Sequence, residues 1–218
     1  MSAKRRGAGR PKDESKRAAI LKAAGTCFLK SGFARASMDA IAEQAGVSKL
    51  TVYSHFRNKD LLFKAMIAAK CSEHRPPGGH LELAGQDPRT SLIQIGTSFV
   101  RLMVSPDVLA LNRLVATESV KNRKLAELLY QAGPQPTLDG FVELLRAWVA
   151  KGLMEICDPE RAADHYFSLL RGMMQFRLIM SIDKAPTEDE IERHVEDCVD
   201  MFLRAYGRKP AAKPLRSL

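Results

Sequence analysis

Between positions 48 and 55, Ser48, Lys49, Leu50, Thr51, Tyr53, Ser54 and His55 bring together hydrogen-bond donors, acceptors and an apolar group, with no acid among them. Such a set can read a surface dense in donors and acceptors, such as the floor of a DNA major groove. It offers no paired carboxylates, no nucleophile with a base and no metal-ligand spacing, so it does not describe an enzyme site.

The groups are useful only if one short helix is held by its inner face, and the flanking residues supply that. Ala42 and Gly46 stand four apart, where one helix must admit a second and the backbone must turn, and Val52 follows as an apolar plug. A near-absent side chain, a residue tolerant of positive φ and a buried aliphatic group are what a helix-turn-helix requires. An ordinary αα-hairpin whose glycine caps a helix would show the same three spacings.

Charge weighs between the two readings. The net charge is +9, yet residues 1–70 hold 15 Lys and Arg against 5 Asp and Glu, while residues 71–218 hold 19 against 20. A basic segment joined to a neutral one is the footprint of a part that neutralises phosphates and a part that does not. Residues 1–12 read as a disordered basic arm; either it is a solvated tail, or Gly9-Arg10-Pro11 and the preceding arginines follow a minor groove. The basic, proline-containing stretch 207–218 reads as a second disordered tail.

Other chemistries find little support. Cys27, Cys71, Cys157 and Cys198 form no CxxC pair and read as reduced, mostly buried thiols. Cys71, His74 and His80 flank a Pro/Gly loop without a suitably spaced fourth ligand, so no metal is expected. No cofactor loop, HExxH, ExxH or GxSxG pattern occurs, and no apolar run has membrane-spanning length. A cytoplasmic protein with no cofactor and no membrane partner is expected.

The apolar periodicity predicts helices throughout, at about 14–31, 38–45, 49–55, 59–73, 90–104, 107–118, 122–132, 137–152, 159–181 and 188–206, with 75–89 as a surface loop. Ser37, Ser48, Asn58, Asp158 and Thr187 are suited to open helices, and Gly32 to end one. The helices at 159–181 and 188–206 are more apolar than one exposed face requires. Pairing of two chains through them explains the surplus.

The run FLKSGFARASMDAIAEQAGVSKLTVYSHFRNKDLLFKAM resembles the DNA-binding domain of TetR/AcrR-family transcriptional regulators almost position for position over residues 14–70. SLIQIGTSFVRLMVSPDVLALNRLVATES, YQAGP and LLRGMM resemble the C-terminal domain of the AefR-like subgroup. The resemblance implies an all-α homodimer: a helix-turn-helix DNA-binding domain over 13–58 and a larger helical effector-binding and dimerisation domain over 59–206. It puts Thr51, Tyr53 and His55 at recognition-helix contact sites, and Lys59 and Ser37 at phosphates. Lys49, able to donate to guanine, and Leu50, able to touch a thymine methyl, fall where the operator is set.

The function implied is repression from a near-palindromic double-stranded operator, relieved by a small apolar or amphipathic effector. Candidates for its cavity are Phe99, Met103, Leu111, Leu114 and Val115, then Phe141, Leu145 and Trp148, and finally Phe167, Leu170 and Met174. An architectural or cell-division DNA-binding protein of the same fold, with no small-molecule effector, is the alternative.

Overall fold

A computed structural model describes residues 14–75 and 79–208, which form two compact units, 1–69 and 70–218 in chain terms. The arm expected over 1–12 and most of the tail expected over 207–218 lie outside the described residues. Gly207 and Arg208 are described and are not free tail: Gly207 bridges Met154, and the Arg208 guanidinium donates to the Gly152 carbonyl at 3.3 Å.

The first unit contains α1 (Glu14–Ser31), α2 (Met38–Gln44), α3 (Lys49–His55) and the greater part of α4 (Lys59–Ser72). Gly32, at φ 82°, ends α1 by donating to the Phe28 carbonyl at 2.9 Å. Phe28, Phe33 and Phe63 meet in the core with ring centroids 5.1–5.4 Å apart. Edge-on and tilted contacts of this kind favour one arrangement of α1, the following loop and α4 over others.

The second unit contains α5 (Pro88–Val104), α6 (Pro106–Ser119), α7 (Arg123–Ala132), α8 (Pro134–Ala150), α9 (Pro159–Ile179) and α10 (Glu188–Tyr206). Asp158 caps α9 through the Arg161 amide, and Thr187 and Glu190 form a reciprocal capping box on α10. The core gathers Phe141, Trp148, Tyr166 and Phe202, with Phe141 and Tyr166 stacked at 4.8 Å. α5 reaches α9 and α10 at Gly96, where a Cβ would lie 2.8 Å from both the Tyr166 hydroxyl and Val195 Cγ1.

Three expectations are corrected. Residues 75–89 are not simply a surface loop: His80–Gly85 form a 3-10 turn that buries His80 and Leu83. α9 is not continuous, because Gly172 adopts φ 48°, ψ −164° and breaks it. Of the four thiols only Cys198 is buried, Cys27 and Cys71 being partly covered and Cys157 exposed. Among the described residues no single helix is long and apolar enough to cross a membrane, and α5 and α6, apolar in succession, meet at a bend of 63°.

Candidate nucleic-acid interface and ligand cavity

The turn between α2 and α3 is closed as the sequence requires. The Gly46 amide donates to the Glu43 carbonyl and the Val47 amide to Ala42, both at 3.1 Å, with Gly46 at φ 66°. This paired closure of a helix end needs a left-handed residue after the cap. Ala42 and Val52 are buried, as is Phe56 at the end of α3, with the Arg17 guanidinium over its ring at 5.6 Å.

With Val52 inside, the opposite face of α3 is open. Leu50 is 80% exposed and Tyr53 50%, and Ser48, Lys49 and Ser54 are exposed beside them. Several of the polar groups also build the helix. Ser48 accepts from the Thr51 amide at 3.1 Å and shares a hydrogen bond with its hydroxyl, and Ser54 donates to the Thr51 carbonyl. Ser37 caps α2 by accepting from the Ala40 amide. His55 is partly covered, its ring tilted against Phe56.

Two lysines stand differently from expectation. Lys49 is paired with Asp39 of α2 at 2.5 Å, and that hydrogen bond and charge hold its ammonium above its ordinary pKa. Lys59, expected at a phosphate, turns inward. Its ammonium donates to the carbonyls of Phe33 at 2.7 Å, Ala36 at 3.0 Å and Ala34 at 3.1 Å, and lies over the Phe33 ring. An ammonium has three protons, and all three are directed into the loop between α1 and α2. No spacing rule announces such a clip, because its acceptors are backbone atoms 23–26 residues away.

The second unit holds a cavity of about 120 Å³. Of the expected effector residues, Phe99, Met103 and Phe167 line it. Phe141, Leu145, Trp148 and Leu170 belong to the core, Met174 packs against that core, and Leu111, Leu114 and Val115 are buried or partly buried along α6. Those positions share helical periodicity with the lining ones, and periodicity does not say which side of a buried helix faces the void.

The polar part of the wall includes Cys71, His74 and His80, which the sequence raised only as metal ligands, and Arg75, Thr137, Asp164, Ser168 and Arg171, which it did not single out. Burial, helped by the charge of Arg75, pushes His80 down to about 4, so it is neutral at pH 7. Burial also lowers Arg171, against the pull of Asp164, and its guanidinium lies over Phe99 at 5.8 Å. Neither Arg75 nor Arg171 has a carboxylate within ion-pair reach among the described residues.

Both units have counterparts among known proteins. Residues 20–66 match the model for bacterial regulatory proteins of the tetR family, and residues 90–208 match that for the C-terminal domain of AefR-like transcriptional repressors. The chain is 30% identical to the HTH-type transcriptional regulator YdeS of Bacillus subtilis (strain 168), over 81% of this chain and 84% of that one. Among solved structures, a TetR-family transcriptional regulator from Mesorhizobium loti MAFF303099 superposes with a TM-score of 0.76 at 26% identity, covering 91% of this chain and 100% of that one. The flavonoid-responsive regulator FrrA gives 0.70 at 31% identity, with the same coverage.

Proposed function

The chain belongs to the TetR family of helix-turn-helix DNA-binding transcriptional regulators, with an AefR-like C-terminal domain, and we propose that it is a repressor released from its operator by a small molecule. It is not an enzyme. The observation that carries the proposal is the combination, in one chain, of an open α3 face rich in hydrogen-bonding groups and a partly polar cavity in the second unit.

Tyr53 and Leu50 offer the least encumbered contacts to bases, with Thr51, Ser54 and His55 beside them. Lys49 contributes by leaving Asp39 for guanine or phosphate. Exposed Met173 and Phe176 on α9, Met180 just beyond its end and Met201 on α10 support pairing of two chains through these helices, which would give the operator two related half-sites.

α4 is the natural lever, since it begins in the DNA-binding unit and ends in the other. Its last turn carries Cys71, on the cavity wall, and Lys70, ion-paired to Asp107 of α6 at 3.4 Å. A ligand touching Cys71, His74 and Arg75 would favour one position of that turn, with a coupling of roughly 1–3 kcal/mol typical of such linkage. The similarity to FrrA, a flavonoid-responsive regulator, supports small-molecule control here.

Selection of bound duplexes from a random library at two salt concentrations tests the reading. A near-palindrome retained at the higher salt is expected. Binding without sequence preference, weakening steeply with salt, would overturn it and favour an architectural role.

A further inference from the structure

The polar end of the cavity is organised for a negative charge. Arg75 and Arg171 both reach its wall with no carboxylate in ion-pair reach among the described residues, and the one acid there, Asp164, acts on Arg171 only at longer range. His80 is 6% exposed, has no hydrogen-bond partner among the described residues, and opens onto the same space. A neutral imidazole can donate its single N–H to an anion at less desolvation cost than a buried imidazolium. The N-terminus of α8 also reaches the wall through Gly133, Pro134 and Thr137, and Gly133 supplies no side-chain cap. Its positive dipole end adds to the preference for an anion.

The remainder of the wall is apolar, with Phe99, Leu138 and Phe167 at hand for a flat group. Phe99 and Phe167 are already in ring contact at 4.7 Å. A void of about 150 Å³ in a protein interior accepts one benzene molecule, and this cavity measures about 120 Å³. The cavity is smaller than that, so it holds at most one ring, with a carboxylate at the open side where Arg171 is exposed, and the three rings of a flavonoid do not fit without enlargement.

We propose that the effector is a single-ring aromatic carboxylate, its carboxylate held between Arg75 and Arg171 beside His80 and its ring against Phe99, Leu138 and Phe167. The proposal rests on the reading of this cavity as the effector site. Arg171, exposed at the edge of the cavity and without an ion-pair partner there, gains one on binding. The paired Arg–carboxylate geometry gives direction as well as affinity.

The test is calorimetric titration of the full-length protein with benzoate, with benzamide as the uncharged isostere and with the flavonoid naringenin. Benzoate is expected to bind at least tenfold more tightly than benzamide, and Arg171→Gln to reduce that ratio to about one. A circular-dichroism spectrum and a urea midpoint matching those of the unchanged protein show that the variant is folded. Equal affinity for benzoate and benzamide, or a ratio unchanged in Arg171→Gln, would overturn the assignment of the anion. Saturable binding of naringenin with none of benzoate would overturn it too, while leaving a ligand-responsive repressor intact. That broader reading fails separately, if no operator is found or if no compound that binds the protein alters its operator affinity.

Discussion

The imidazole of His194 on α10 donates from Nε2 to the backbone carbonyl of Leu170 on α9, 2.9 Å away and two residues before the break at Gly172. A carbonyl can only accept, so the proton must be on Nε2. A helix interruption weakens the ladder on either side of it, and the partner helix supplies a donor there. The hydrogen bond therefore joins α10 to the break itself, just beyond the wall residue Arg171.

Replacing Gly172 by alanine is expected to destabilise the protein by about 1–3 kcal/mol, because φ 48°, ψ −164° is a conformation open essentially to glycine alone. Space is not the obstacle, since the nearest atom to a new Cβ is His194 Cε1 at 3.8 Å. Urea unfolding checks this, and an unchanged midpoint would show that the break relaxes readily into a continuous helix.

Gly96 is constrained by space instead. An added methyl would meet the Tyr166 hydroxyl and Val195 at 2.8 Å, inside a core where Tyr166 donates to the Leu92 carbonyl. Gly96→Ala is expected to cost about 1–3 kcal/mol through overpacking. Thermal unfolding of the variant alone and combined with Val195→Ala measures it. The loss should be partly recovered in the pair if Val195 is the obstacle.

Lys59→Met separates a clip from a phosphate contact. Loss of the ammonium leaves the Phe33, Ala34 and Ala36 carbonyls without this donor, so stability should fall by roughly 1–3 kcal/mol. The slope of log K against log salt for DNA binding should stay the same. A phosphate-contacting lysine would instead lower the slope by about one for each site removed, with little change in stability.

Asp39 and Tyr53 should act on DNA binding with opposite signs. Asp39→Asn releases Lys49 and removes a negative charge beside the reading helix, so affinity for DNA should rise. The exposed pair contributes little to folding, and stability should change by less than about 1 kcal/mol. Tyr53→Ala should weaken specific binding by about 1–3 kcal/mol in a folded protein. Electrophoretic mobility shifts on the selected operator measure both.

His80 gives the fold an acid sensitivity. Its pKa is about 4 in the folded protein against an ordinary 6.5, so above pH 6.5 neither state binds the proton. Below 6.5 the unfolded chain takes it up first. Stability is therefore lost as pH falls from 6.5 to about 4, by up to a few kcal/mol, and the effect levels off below that. His80→Leu should flatten this part of the stability profile, which urea titrations at successive pH values would reveal.

The sequence by itself determined the α-helices, their order and the exposed face of α3, though not the 3-10 turn or the break in α9. Hydrophobic period, hydroxyl and acid caps, and the Ala42, Gly46 and Val52 spacing are local properties, and a helix is closed by bonds within its own segment. That is why α2 and α3 appear where the pattern puts them, with Val52 inside and Tyr53 outside. Tertiary structure decided where side chains from distant segments converge. The Lys59 clip depends on carbonyls in another loop, and the lone pairs of a backbone have no signature in residue type. The cavity depends on which apolar side of each helix stays unfilled, so Phe99, Met103 and Phe167 reach it while Phe141, Trp148 and Leu170 close the core. Its polar lining comes from Arg75, His80, Asp164 and Arg171, supplied by separate segments that packing brings to one cavity.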